Sequence, residues 1–190
     1  MTMTTLEDLL VEQVRDLYDA EKQLVRALPK MAEAARSEDL QQAIQSHLEE
    51  TKSQVLRLER VFEKLDKPAK GKVCKAMRGL VEEGGEALDG NSEACLTDLA
   101  IIAAAQRVEH YEISGYGTAR AIALQLRQDT IASLLEETEE EEKAADTKLT
   151  DIATDLLGQA GNAQGPDEEA DGLPRKSTHP GTGSRRAARG

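Results

Sequence analysis

Glu21, His47, Glu50, Glu109, Glu112, Glu142 and Asp146 are the residues of this chain whose types and spacing could do chemistry. His47-x-x-Glu50, Glu109-x-x-Glu112 and Glu142-x-x-x-Asp146 each put two ionisable groups on one side of a helix. Each group also falls on or beside an apolar stripe. At about 100° per residue, Val14, Leu17, Val25 and Leu28 all lie within roughly 40° of Glu21. His47 lies among Ile44, Leu58, Phe62 and Leu65, with Glu50 at the edge of that face. Glu109 shares its direction with Ile102, Ile113 and Tyr116, and Glu112 is one step round. Glu142 aligns with Leu135, Leu149 and Ala153, with Asp146 close beside it. Carboxylates buried together cannot all stay ionised unless something offsets their desolvation and mutual repulsion. A bound cation does so, and carboxylates with an imidazole suit Fe or Mn in a bundle core.

The depths agree. Residues equidistant from the turn of an antiparallel hairpin lie side by side. The midpoint of Glu21 and Glu50 falls at Ala35–Arg36, and that of Glu112 and Glu142 at Arg127. Each midpoint sits beside a turn signal. Simpler readings exist for the single residues. A lone buried histidine is ordinarily a core residue, and the run from Glu136 to Glu142 reads mostly as a solvated charge face. Tyr111 and Tyr116 are candidates to donate to the ligands or simply to pack. The four helical positions at matched depth carry the metal reading together.

The elements that must position them are helices. Thr5 caps a first helix over about 6–36, with Leu10, Val14, Leu17, Leu24 and Leu28 at helical spacing and an expected kink at Pro29. A second helix is expected over about 38–65, ended by Asp66-Lys67-Pro68. Residues 69–91 read as a crossover carrying a short helix around Val73, Met77, Leu80 and Val81. Gly84-Gly85 and Asp89-Gly90-Asn91 punctuate it. A third long helix is expected over about 92–126, and a fourth, capped by Asp129, to about Leu157. Two helical hairpins joined by one long crossover make the ferritin-like four-helix arrangement. Residues 158–190 are rich in Gly and Pro and read as a disordered tail, so the bundle is assigned to 1–157. The tail's basic end is either a solubilising extension or a weak arm for acidic surfaces.

Composition narrows the classes. The chain has 190 residues, a net charge of −12, three Tyr, one Phe and no Trp. Sparse aromatics argue against a β-sandwich or barrel. The acidity argues against a nucleic-acid backbone as partner of the folded body. No apolar run is long enough to span a membrane, and the first residues lack a signal pattern. Cys74 and Cys95 are too few for a disulfide framework; a redox-formed bridge and two ordinary thiols both remain open. The expected location is the cytoplasm.

Several stretches resemble the YciE/YciF family of bacterial stress proteins, within the ferritin-like group. They are Leu17-Tyr18-Asp19-Ala20-Glu21-Lys22-Gln23-Leu24, His47-Leu48-Glu49-Glu50-Thr51, the run from Ala104 to Ile113 with Tyr116-Gly117-Thr118, and the run from Glu140 to Asp146. The resemblance spans roughly 4–157. It implies a ferritin-like bundle with an added short helix, a homodimer and a role in general stress. It also implies two metal ions, Fe or Mn, held by Glu21, His47, Glu50, Glu109, Glu112, Glu142 and Asp146. Ferritin-like relatives carry Glu-x-x-His on the second helix; here the order is His47-x-x-Glu50, and Ser53 stands three residues beyond Glu50. Two functions follow as expectations. One is a metal centre that handles peroxide or oxygen, or the metal itself. The other is a non-catalytic scaffold whose inward acids are protonated or paired with a residue such as Arg120.

Overall fold

Reciprocal caps start the first helix. The Thr5 hydroxyl accepts from Asp8 N at 3.0 Å, and the Asp8 carboxylate accepts from Thr5 N at 3.1 Å. From there α1 runs Leu6–Ala34, and Pro29 lies inside it without ending it. In the computed structural model, which describes residues 3–88 and 93–163, four more helices follow: α2 Glu38–Lys64, α3 Lys75–Leu88, α4 Ala94–Gln125 and α5 Asp129–Ala163. No strand occurs among the described residues. α1 packs on α2 and α4 on α5, while α2 meets α5 and α1 meets α4. That closes a ferritin-like four-helix bundle, with α3 lying across α1 and α4 as the added short helix of the crossover.

The boundaries depart from sequence expectation in instructive ways. α1 stops at Ala34, short of Arg36, because Arg36 N and Ser37 N donate to the Asp98 carboxylate of α4 at 2.7 and 2.9 Å. Ser37 Oγ then accepts from Leu40 N and starts α2. Asp129 is the first residue of α5 and not its cap. α5 continues past Leu157 to Ala163, and the rest of the expected tail lies outside the described residues. Gly84 and Gly85 sit inside α3 and do not break it. Gly84 is buried, and a Cβ there would stand 3.5 Å from Ala104 Cβ, so its smallness lets α3 lie close on α4. Asp89-Gly90-Asn91 and Ser92 lie outside the described residues. The ends of α2 and α4 share one device. Asp66 (φ 53°) and Arg127 (φ 57°) adopt the left-handed conformation, and the next amides, Lys67 N and Gln128 N, bond back to Phe62 O and Ala123 O.

The core is split. One apolar half packs Leu10, Val14, Leu17, Phe62, Tyr116 and Leu135 among others. The other packs Leu24, Leu28, Ile44, Met77, Ile101 and Leu149. Glu21 and His47 fall between these halves along α1 and α2. α1 and α4 approach closely at that level, since Gly115 leaves room for Leu17; a Cβ at Gly115 would meet Leu17 Cδ2 at 2.8 Å. No described helix is long and apolar enough to cross a membrane.

Asp98 fixes the turn of the first hairpin to α4 and so helps set the depth match. Replacing it with Ala leaves two backbone N–H donors without their carboxylate. Asp98→Ala is therefore expected to lower unfolding stability by about 2 kcal/mol in urea titrations monitored by helical circular dichroism. An unchanged midpoint would refute that role.

Candidate metal centre

Glu21, His47, Glu109, Glu112 and Glu142 come from all four long helices and converge between the two halves of the core. Glu21, Glu112 and Glu142 are 0% exposed, Glu109 2% and His47 7%. His47 Nε2 stands 3.4 Å from Glu109 Oε1 and 3.7 Å from Glu142 Oε2. Ligand atoms of His47, Glu109 and Glu142 all lie within 4.8 Å of one another. The imidazole is near these carboxylates without being aligned to donate to them. Both its nitrogens lack a hydrogen-bond partner, as do Glu21 Oε2, Glu109 Oε2, Glu142 Oε2 and both oxygens of Glu112.

The partners that do exist hold the cluster from outside. Tyr116 OH donates a short hydrogen bond to Glu21 Oε1. Gln54 Nε2 donates to Glu142 Oε1 at 2.5 Å and to Glu141 Oε2 at 3.0 Å. Arg57 grips both oxygens of Glu141, at 2.7 and 2.8 Å, and also reaches Glu137 and Thr138. A polar chain thus runs Arg57–Glu141–Gln54–Glu142. Thr51 donates back to the carbonyl of His47 at 2.8 Å, anchoring its hydroxyl one turn along the same face. Gln54 and Arg57 were not singled out from sequence. Their signal was spacing: they stand seven and ten residues beyond His47, polar positions on a face that is apolar at either end, at Leu40 and Ile44 and at Leu58, Val61 and Phe62.

Two expected members sit outside the buried group. Glu50 matches the depth of Glu21 but lies about 60° round the helix from His47, which turns it to the flank. Its side chain is 45% exposed and faces His47 Nδ1 at 3.5 Å. Asp146 accepts from Gln106 Nε2 at 3.0 Å and lies 3.5 Å from His110, partly exposed. Arg120 does not pair with the inward acids; it goes to Glu136 and Glu139. Nor is the Glu136–Glu142 run purely solvated, because Glu141 is drawn inward by Arg57 and Gln54. Tyr111 donates to Asp16 and touches Cys74 Sγ at 3.0 Å, while Cys95 faces Leu156 O. Both thiols are free.

Electrostatics express the same crowding. Burial, only partly offset by the Tyr116 hydrogen bond and the charge of His47, pushes Glu21 up to about 8. Burial, with Glu21 and Glu109 nearby, raises Glu112 well above the usual carboxylate range. Glu142 is raised well above it by burial and by Glu112, Glu21 and Glu109. Burial also raises Glu109, although His47 pulls it down. For His47 burial works against protonation, but the charges of Glu109, Glu50 and Glu21 outweigh it and lift the imidazole to about 9. Four carboxylates and one imidazole with unpartnered oxygens and nitrogens fit a pair of hard divalent cations by donor type. Four carboxylate charges would be balanced by two such ions.

A model of the domain of unknown function DUF892 matches residues 5–161. Protein YciF of Escherichia coli K12 is 49% identical over 154 residues, covering 80% of this chain and 93% of that protein. The crystal structure of the E. coli stress protein YciF superposes with a TM-score of 0.80 at 47% identity, covering 83% of this chain and 99% of that one. YcfI of Rhodopseudomonas palustris, described as a proposed structural protein, gives 0.75 at 48% identity and covers 77% of this chain and 94% of its own. A protein of Xanthomonas campestris, 19% identical, gives 0.65 over 84% of this chain and 99% of its own and shares the fold.

The raised groups make stability depend on pH when no metal is bound. Glu21 keeps its proton up to about 8 when folded, against a reference near 4.5. His47 does so to about 9, against 6.5. Between those limits the folded chain holds more protons than the unfolded one. Their contribution is complete at the acid end and is lost as pH rises through the folded values. The melting temperature of metal-free protein should therefore fall from pH 6.5 to pH 9, and fall less in Glu21→Gln. A wild-type melting temperature that rises across this range would contradict the assignment.

Proposed function

The chain belongs to the DUF892 family, which its match over residues 5–161 and its 49% identity to YciF establish, and from that premise we propose that it is a stress protein holding two Fe or Mn ions. The ligands would be Glu21, His47, Glu109, Glu112 and Glu142, with Glu50 available at the rim. Asp146 would act at most through neighbours, since its carboxylate is engaged by Gln106. One observation carries the reading: seven unpartnered side-chain oxygens and nitrogens of five buried ionisable groups at one level of the bundle. Burying that many unsatisfied polar atoms with no ligand is unfavourable.

When bound, such a pair of ions supplies one-electron redox chemistry toward peroxide or dioxygen. The chain's own residues set the conditions for it. Gln54 orients Glu142, and Arg57 holds Glu141 so that Gln54 stays in place. Tyr116 keeps one oxygen of Glu21 occupied and leaves the other free. The apolar halves of the core exclude bulk water on both sides. A homodimer in the cytoplasm belongs to the same proposal, on the resemblance to this family.

A second reading keeps the bundle as a non-catalytic scaffold. It is favoured by the structural role put forward for the R. palustris relative and by the raised carboxyl groups, which burial can keep neutral.

Full-length protein purified without chelator and reconstituted with Mn(II) or Fe(II) should carry about two ions per chain by elemental analysis. Its melting temperature should rise on loading and drop with a strong chelator. Glu112→Gln combined with Glu21→Gln should abolish most uptake. Less than about 0.2 ion per chain in the wild type, with a melting temperature indifferent to chelator, would leave the scaffold reading.

A further inference from the structure

A cavity of about 310 Å³ opens between α2 and α5, with Ala43, Ala144 and Ala145 in its walls and His47 and Glu109 at its inner end. Both inner residues are more than nine-tenths buried. His47 Nδ1, His47 Nε2 and Glu109 Oε2 have no hydrogen-bond partner. Buried polar groups of that kind gain most from a ligand that arrives through the cavity they face.

The cavity is acidic along its length. Glu50 lines it with a side chain 45% exposed, and its carboxylate stands 3.5 Å from His47 Nδ1. Glu141 lines it too. Arg57 is shared between Glu137 and Glu141, so those three groups keep a net negative charge. Lys148 is the one permanent cation among the lining residues. Donor atoms for a cation therefore continue from the half-exposed Glu50 to His47, and from His47 to Glu109 at 3.4 Å and Glu142 at 3.7 Å. Two other cavities have the opposite character. The one between α1 and α2 is lined by Lys22, Arg26 and Lys52, and the one between α1 and α3 by Arg26 and Lys30. Neither touches a buried carboxylate.

We infer that the α2–α5 cavity is the route by which a divalent cation reaches the buried carboxylates, and that Glu50 is the group that receives it. The size agrees, since a shell of six waters occupies roughly 180 Å³ and hard cations give up such waters reluctantly. The short alanine side chains keep the passage wide enough for the hydrated ion. Glu50 then replaces a first water before the ion enters the dry interior, where an uncompensated charge is costly. An anion would meet Glu50, Glu109 and Glu141 as like charges, and a neutral solute would gain little from them.

This inference rests on the metal reading and concerns how the site is loaded. The test mixes Mn(II) with the metal-free full chain at physiological salt. Uptake is followed in time by loss of the six-line electron paramagnetic resonance signal of free Mn(II), and circular dichroism checks that each variant folds. Ala144→Phe, at an exposed position of α5 beside the cavity, should slow uptake severalfold and leave the final occupancy unchanged. Glu50→Gln should slow uptake roughly fivefold, and Lys148→Glu should speed it roughly threefold. Arg26→Glu makes the same change of charge away from this cavity and should leave the rate as it is, because salt screens a distant charge. Full occupancy at rates indifferent to Ala144→Phe and Lys148→Glu would overturn the route and leave the metal reading standing. Equal acceleration by Lys148→Glu and Arg26→Glu would also overturn the route, because overall charge would then explain it. A folded wild-type chain that takes up no Mn(II) would remove the metal reading, and the route with it.

Discussion

Four carboxylates held within the dry middle of a helical bundle set the terms for everything around them. Desolvation and mutual repulsion each disfavour their ionised forms. The surrounding structure answers in three ways. One imidazole, His47, is placed within 3.4 Å of Glu109 and 3.7 Å of Glu142. Neutral donors, Tyr116 and Gln54, take one oxygen each from Glu21 and Glu142. The permanent cation, Arg57, is kept one layer outside, on Glu137 and Glu141. An arginine placed among these carboxylates would neutralise the charge that the proposed metal ions need. Kept outside, it lends field without occupying the donor atoms.

The same constraint explains why the hydrophobic core comes in two parts. Leucine, isoleucine and alanine fill the space above and below, and the polar layer between them cannot be packed by apolar contact. Stability must come from the halves, and the depth match between hairpins must come from elsewhere. Asp98 ties the first hairpin's turn to α4, while Asp19 and Gln23 of α1 hold the crossover at Cys74 through its amide and carbonyl. These polar ties lie away from the buried carboxylates and fix the heights at which the helices present them.

Much of this was legible in the sequence because helical periodicity is coarse and robust. Glu21 in the middle of an apolar stripe, and Glu112 level with Glu142, follow from a turn angle and a midpoint. What periodicity cannot resolve is a displacement of one step. Glu50 has the right depth and the wrong azimuth, and Asp146 has a polar neighbour, Gln106, that claims it. Gln54 and Arg57 were hidden for a different reason. A polar residue on a buried face is informative only once its partner is known, and theirs stand on α5, 80 or more positions away. Gly84 misled as punctuation because close packing on Ala104, a tertiary contact, outweighs the local helix penalty, while Gly85, with open space beside it, is carried in the same helix.

The bundle's four sides are not equivalent, and small residues decide which way it opens. Between α1 and α4, Gly115 lets Leu17 close in, and Tyr116 seals the wall by its bond to Glu21. Between α2 and α5, Ala43, Ala144 and Ala145 leave the space unfilled, down to His47 and Glu109. Glycine on the first side lets a leucine side chain close in; alanine on the second leaves the gap lined by short side chains. Arg57 and Glu141 span the α2–α5 gap beside that space and hold its sides in place. Acidity supplies the proposed ligands, and the distribution of the smallest side chains determines from which direction anything can reach them.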